Sequence, residues 1–268
     1  MYCSLRIVGR FSIFELRFTN YENIMKKILV TGANGQLGSE LKELSSRYSQ
    51  FEWVFADRSV LDLSDLASIS NVLDRIQPQF IINCAAYTAV DKAESESELA
   101  DTLNHKAVAV LAQWTHSHSA QLVHVSTDYV FDGKKVSPYS EQDAPNPINH
   151  YGTSKWLAEQ QVQQHCEKYL ILRTSWLFSE YGHNFYRSMV KLAETGSAVQ
   201  VIADQVGCPT YAGDVVTAVI GMLKRYKCTG ELLYGTYHLC SGPAVSWYGF
   251  AQAIFAAKQF EVPLRQIS

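Results

Sequence analysis

Short apolar runs alternate with amphipathic stretches through most of the chain. Ile28-Leu-Val30, Phe51–Ala56, Phe80–Ala86, Gln121–Ser126 and Tyr169–Ser175 have the length and β-favouring content of strands buried on both faces. Between them, apolar residues recur at helical spacing: Leu37, Leu41 and Leu44; then Leu66, Ile69, Val72 and Leu73; then Leu103, Ala107, Val108 and Leu111; then a helix opened by Tyr151 and carried through Leu157, Gln161 and Val162. Ser64 or Asp65 is placed to cap the second helix and Pro78 to close it. Strand and helix alternating in this way predict βαβ units and a doubly wound parallel sheet of Rossmann type.

Past Ser175 the alternation loosens. The pattern predicts a loop over 176–182, a helix over 184–194, a short strand Val199–Ile202, a turn over 204–210, a helix from Asp214 to Arg225, a late strand Gly235–Leu239 and a final helix from Trp247 capped by Ser246. Residues 25–175 read as a dinucleotide-binding domain, and 176–268 as a segment that completes the sheet and forms a small substrate lobe. Val262–Ser268 carries no element in this reading, so the lobe looks truncated. Met1–Ile24 has scattered arginines among aromatics and precedes a second methionine, so it reads as an extension outside the fold with Met25 the natural start; a targeting peptide is the alternative.

Composition narrows the class. A chain of 268 residues with a net charge of −3 and interspersed signs has no basic field for nucleic acid. No apolar run reaches the ~18 residues of a membrane-spanning helix, and the six scattered cysteines lack a Cys-x-x-Cys pair, so they read as reduced thiols in a cytoplasmic protein. Small-molecule chemistry is the expected role.

The chemistry starts at the first strand. Gly32, Gly35 and Gly38 lie between that strand and the first helix, where glycines let a turn approach a pyrophosphate and backbone N–H groups at the helix start hold it. Asp57, closing the second strand, is placed to accept hydrogen bonds from adenosine ribose hydroxyls, whereas the neighbouring Arg58 suits a 2′-phosphate. NADH and NADPH both stay open. The small residues ending Phe80–Ala86 allow a ribose or adenine to lie against the backbone, and the run Asp91–Glu98 reads as a solvated charged face. Tyr151 and Lys155, at i and i+4, face one ligand together, and a nearby ammonium favours the phenolate. Thr127, at the end of the fourth strand, is a third donor for the oxygen on which charge develops when a carbonyl accepts hydride.

The strings Val30–Gly38, Asn83–Glu94, Ser126–Gly133, Tyr151–Lys155 and Arg173–Trp176 resemble those of the extended short-chain dehydrogenase/reductases, and within them the dTDP-4-dehydrorhamnose reductase family. The resemblance implies that Gly35, Gln36 and Leu37 meet the cofactor diphosphate and that Asp57, Asp62, Leu63, Ala85, Ala86 and Tyr87 line its adenosine side. It implies Thr127, Tyr151 and Lys155 as the catalytic set, Asp128 and Trp176 as contacts to a nucleotide sugar, and reduction of a 4-ketosugar by NAD(P)H in dTDP-rhamnose and polysaccharide biosynthesis. Tyr129 stands where dehydratases of this fold carry a glutamate, which argues against dehydration. The family also suggests a homodimer linked by Mg²⁺ through acidic residues, of which Glu40 is the one matched here, and no metal is assigned. A non-catalytic NADP-binding subunit, like the regulatory subunit of methionine adenosyltransferase, and an enzyme of another nucleotide sugar are the alternatives.

Overall fold

The computed structural model describes residues 25–268; the expectations for Met1–Ile24 lie outside the described residues. The first half runs β1 (Lys26–Thr31), α1 (Gln36–Ser45), β2 (Phe51–Ala56), α2 (Leu66–Ile76), β3 (Phe80–Asn83), α3 (Val90–Ala93), α4 (Ser97–Asp101), α5 (Ala107–Ser117), β4 (Gln121–Thr127), α6 (His150–His165) and β5 (Tyr169–Thr174). The second half adds β6 (Leu177–Phe178), α7 (Phe185–Glu194), β7 (Val199–Ile202), β8 (Val206–Gly207), β9 (Thr210–Tyr211), α8 (Ala212–Thr229), β10 (Gly235–His238), β11 (Val245–Ser246), α9 (Trp247–Lys258) and β12 (Leu264–Ile267).

Six strands form one sheet in the order β10-β5-β4-β3-β1-β2, and every pairing in it is parallel. The doubly wound Rossmann-type sheet expected from the strand–helix alternation is therefore what the chain builds. Its strands are apolar on both faces because both are covered. Ile28 and Val30 of β1 turn to one side with Ile82, Val123, Leu170 and Leu172, under Leu41 of α1 and Val215, Val219 and Leu223 of α8. Leu29 turns to the other with Ile81, Leu122 and Ile171, under Ile69 of α2, Leu111 of α5 and Val162 of α6. Each fully buried Leu, Ile or Val contributes about 1.5–3 kcal/mol relative to exposure. Residues after 175 supply β10 at the sheet edge and α8 on its face.

A smaller lobe packs α7 against α9 around Met189, Val199, Phe250 and Phe255. The last residues are not structureless as expected: Leu264–Ile267 pairs in parallel with β7, because Val262 and Leu264 have an apolar cluster to join. Five further local expectations are corrected. β3 ends at Asn83, and Cys84–Ala86 leave the sheet as irregular chain. The expected loop over 176–182 contains β6, paired with β9, and the expected turn over 204–210 contains β8 and the first residue of β9. Asp65 takes the cap position of α2 without a side-chain bond, while Ser64 donates to Asp62 Oδ1. The run Asp91–Glu98 is not merely a solvated face: it folds into α3 and the start of α4, Glu94 accepts from the His150 backbone N–H, and Glu96 from the Tyr87 hydroxyl.

Candidate active site

β1 leads to β2 on one side while β3 lies on its other side, so a crevice opens at the carboxyl ends of β1 and β3, the place where open parallel sheets take ligands. The glycine turn forms its floor. Gly32 has φ +64°, and a methyl group there would sit 2.7 Å from the Ala85 backbone nitrogen. A side chain at Gly38 would overlap the Gly32 carbonyl, so α1 starts in tight contact with the turn, and a helix start offers unpaired N–H groups. This cradle fits a dinucleotide diphosphate.

The expected cofactor residues fall around it with differing means of contact. Leu37 and Leu63 are buried in the core, so they offer backbone rather than side chain to a ligand. The Gln36 amide oxygen accepts from Ser179 and from Asn184 at 2.8 Å, so its side chain fastens the turn to the lobe. Asp57 is half-buried just after β2; hydrogen bonds from the Ser59 hydroxyl and backbone hold its carboxyl below the usual range, and Asn34 Nδ2 donates to its other oxygen at 3.3 Å. Arg58 pairs with Asp62 at 3.1 Å. Ala85, Ala86 and Tyr87 follow β3, and Asn104 binds the Tyr87 backbone at both N–H and C=O while donating to Ser154 on α6.

Asn104 is a site-organising residue that sequence reasoning missed. It sits fully buried in a π-helical turn, Thr102–Lys106, between α4 and α5. Such turns concentrate at functional sites, but their hydrogen-bond shift leaves no mark in the apolar spacing that predicts one continuous helix.

Asn149 caps α6 by accepting from Gly152 N–H at 2.7 Å, which starts the helix one residue before Tyr151. That helix lies along β4 and brings Tyr151 and Lys155 beside Thr127, all three buried. The Thr127 hydroxyl is 3.1 Å from Asp128 Oδ1 and accepts from the Tyr129 N–H. Burial raises the Tyr151 phenol above its ordinary range, and its hydrogen bond with Thr127 works the other way. The Lys155 ammonium donates to the Val125 carbonyl at 2.7 Å; burial pulls its pKa down to about 8, against the opposing field of Glu159.

Beside this group lies a cavity of about 190 Å³ lined by Asp128, Tyr129, Asn149, Trp176, Gln205 and Val206. Trp176 has φ +44°, a conformation costly to a non-glycine residue and kept by its surroundings. The cavity and the glycine turn flank Thr127, Tyr151 and Lys155, so a carbonyl held in one can face a dinucleotide held in the other.

Glu40 lies apart from these residues. Burial, then the fields of Glu180 and Glu43, raise its carboxyl, and its Oε1 lacks a hydrogen-bond partner among the described residues. Among the described residues of this chain, no group of three or more His, Cys, Asp or Glu could hold a metal ion.

Residues 25–267 match the model of the RmlD substrate binding domain. The dTDP-4-dehydrorhamnose reductase of Aggregatibacter actinomycetemcomitans is 42% identical over 231 residues, 86% of this chain and 79% of that protein. A dTDP-4-keto-6-deoxy-D-glucose reductase of Streptomyces niveus is 36% identical over 228 residues, covering 85% and 77%. Among solved structures, the dTDP-4-dehydrorhamnose reductase of Bacillus anthracis in complex with NADP superposes with a TM-score of 0.85 at 38% identity, over 91% of this chain and 85% of that one. Motifs, sheet order and relatives agree: the chain belongs to the RmlD family of dTDP-4-dehydrorhamnose reductases.

Proposed function

We propose that this protein reduces dTDP-4-dehydro-β-L-rhamnose to dTDP-β-L-rhamnose, as an NAD(P)H-dependent oxidoreductase of dTDP-rhamnose and polysaccharide biosynthesis. The observation that carries the reading is the convergence of Thr127, Tyr151 and Lys155, all buried, between the glycine turn and the cavity at Trp176. When bound, the reduced nicotinamide supplies hydride to the ketosugar C4. Thr127 and Tyr151 donate to the O4 oxygen as negative charge gathers there, and donors fixed in a water-poor site need no reorganisation. Tyr151 then gives O4 its proton. Lys155 favours the phenolate left behind by its positive charge, and with its proton affinity already reduced by burial it can return a proton to that oxygen.

Gly32, Gly35, Gln36, Leu37 and Gly38 hold the diphosphate; Asp57, Arg58, Asp62, Leu63, Ala85, Ala86 and Tyr87 line the adenosine side; Asp128 and Trp176 contact the sugar nucleotide. Asp57 suits a free ribose and Arg58 a 2′-phosphate, so the cofactor is NADH or NADPH. The protein works as a homodimer in the cytoplasm. Cys84, Cys166 and Cys228 are free thiols, in keeping with a reducing compartment. No helix among the described residues is long and apolar enough to cross a membrane.

The test is oxidation of NADPH and NADH in the presence of enzymatically generated dTDP-4-dehydrorhamnose, with UDP- and GDP-ketosugars as competitors. Turnover confined to the dTDP sugar and abolished in Tyr151→Phe is expected. Equal turnover in Tyr151→Phe would refute the mechanism, and cofactor binding without turnover of any ketosugar would refute the activity.

A further inference from the structure

On the face of the sheet that meets α6, the apolar rows end in polar residues. Thr31 is two residues beyond Leu29, Asn83 two beyond Ile81, and His124 two beyond Leu122; in register Thr31 pairs with Asn83, and Asn83 with His124. All three are nearly inaccessible, at 2%, 1% and 0% exposure. Buried polar groups at such positions are costly unless each finds a partner.

They find one another in a single string. The Ala85 backbone N–H donates to Thr31 Oγ1 at 3.3 Å, and the Thr31 hydroxyl donates to Asn83 Oδ1 at 2.5 Å. Asn83 Nδ2 lies 3.1 Å from His124 Nδ1, and His124 Nε2 lies 3.3 Å from Lys155 Nζ. The backbone N–H at one end cannot reverse. With Oδ1 accepting from Thr31, Asn83 presents its NH₂ to His124, Nδ1 must accept, and a neutral imidazole then carries its proton on Nε2. Burial, reinforced by the Lys155 charge, keeps that imidazole neutral.

We propose that His124 is a positioning residue for Lys155, held by the Ala85–Thr31–Asn83 string in the tautomer that aims its Nε2–H at Nζ. This rests on the catalytic role proposed above for Lys155. The Val125 carbonyl accepts one N–H of the ammonium, whereas the His124 N–H opposes the charge and pairs with the lone pair of the free amine. His124 thereby eases release of the proton that Tyr151 needs back. The other groups acting on Lys155 are Glu159 on its own helix and Cys84 after β3, and Glu159 is itself engaged by Arg173 of β5 at 2.6 Å. His124 and the Val125 carbonyl are thus the neutral groups of β4 in direct contact with Nζ, and of the two only His124 presents an N–H.

Nitrogen NMR of ring-labelled histidine in the full chain reads the tautomer without turnover. A neutral His124 with the proton on Nε2 is expected, and its Nε2 signal should shift in Lys155→Met; a proton on Nδ1, or no shift, overturns the proposal. His124→Phe keeps the volume and removes the donor, whereas His124→Gln keeps a donor at the reach of Nε2. Under the proposal the alkaline limb of the kcat profile for ketosugar reduction moves up by about one pH unit in the Phe variant, a tenfold change in proton affinity, and stays in place in the Gln variant. An unmoved limb in a folded Phe variant overturns it. Should that variant fail to fold, the NMR result decides alone. Absence of turnover in the unsubstituted protein counts against the proposed activity and leaves the tautomer result standing.

Discussion

The indole of Trp176 lies flat on that of Trp247, with ring centroids 3.5 Å apart and planes 7° apart. Trp247 is the first residue of α9, so the lobe reaches back to brace a side chain at the edge of the substrate cavity. The stack offsets the cost of the positive φ at Trp176, each being on the order of 1 kcal/mol. In Trp247→Ala the ring of Trp176 should lose its fixed pose. The KM for the sugar nucleotide is expected to rise by about tenfold, equivalent to ~1.4 kcal/mol, with kcat largely kept. Steady-state kinetics check this, and an unchanged KM rejects the bracing role.

Gly152 follows Tyr151 so closely beneath the Tyr129 carbonyl that a side chain there would overlap that oxygen. The absent Cβ is what allows α6 to press against the turn leaving Thr127. Gly152→Ala should therefore push Tyr151 away from Thr127, with an overpacking cost of roughly 1–3 kcal/mol. A melt together with kcat tests it: both should fall, whereas an ordinary helical glycine would gain stability from alanine.

Lys155 gives a prediction that separates stability from activity. Its pKa of about 8 in the folded protein is below the 10.5 of a free lysine, so the unfolded chain binds the extra proton between those values. The group therefore costs stability fully below about pH 8, and that cost is relieved as pH rises toward 10.5. Lys155→Met should abolish reduction yet raise stability at neutral pH, by at most about 3 kcal/mol less the lost bond to the Val125 carbonyl. Urea unfolding at pH 7 and pH 10 measures it: the gain should shrink at the higher pH, and a loss at both would contradict the burial argument.

Acid should act through histidine. Burial, aided by Arg173 against the opposing field of Glu141, brings His238 down to about 4, and His124 is lowered too. Because both are neutral in the fold while a free imidazole charges near 6.5, their contribution is complete above that pH. For His238 it is lost as pH falls from 6.5 to about 4. The urea midpoint should fall over this window, and His238→Gln should flatten the fall.

Much of this protein follows from local pattern. The alternation of Leu29 with Ile28 and Val30 dictates a strand covered on both faces, and the spacing of Tyr151 and Lys155 dictates a shared face of one helix, because these depend only on the periods of strand and helix. The glycine turn was legible for the same reason. The Asn104 turn, the strand at Leu264–Ile267 and the stack of Trp176 on Trp247 were not, since each is stabilised by partners distant in sequence. The string from Ala85 to His124 lies between these cases. Its polar residues stand in plain view at the ends of apolar strands, but only parallel register brings Thr31, Asn83 and His124 into one row, and only the packing of α6 on that row places Lys155 at its end.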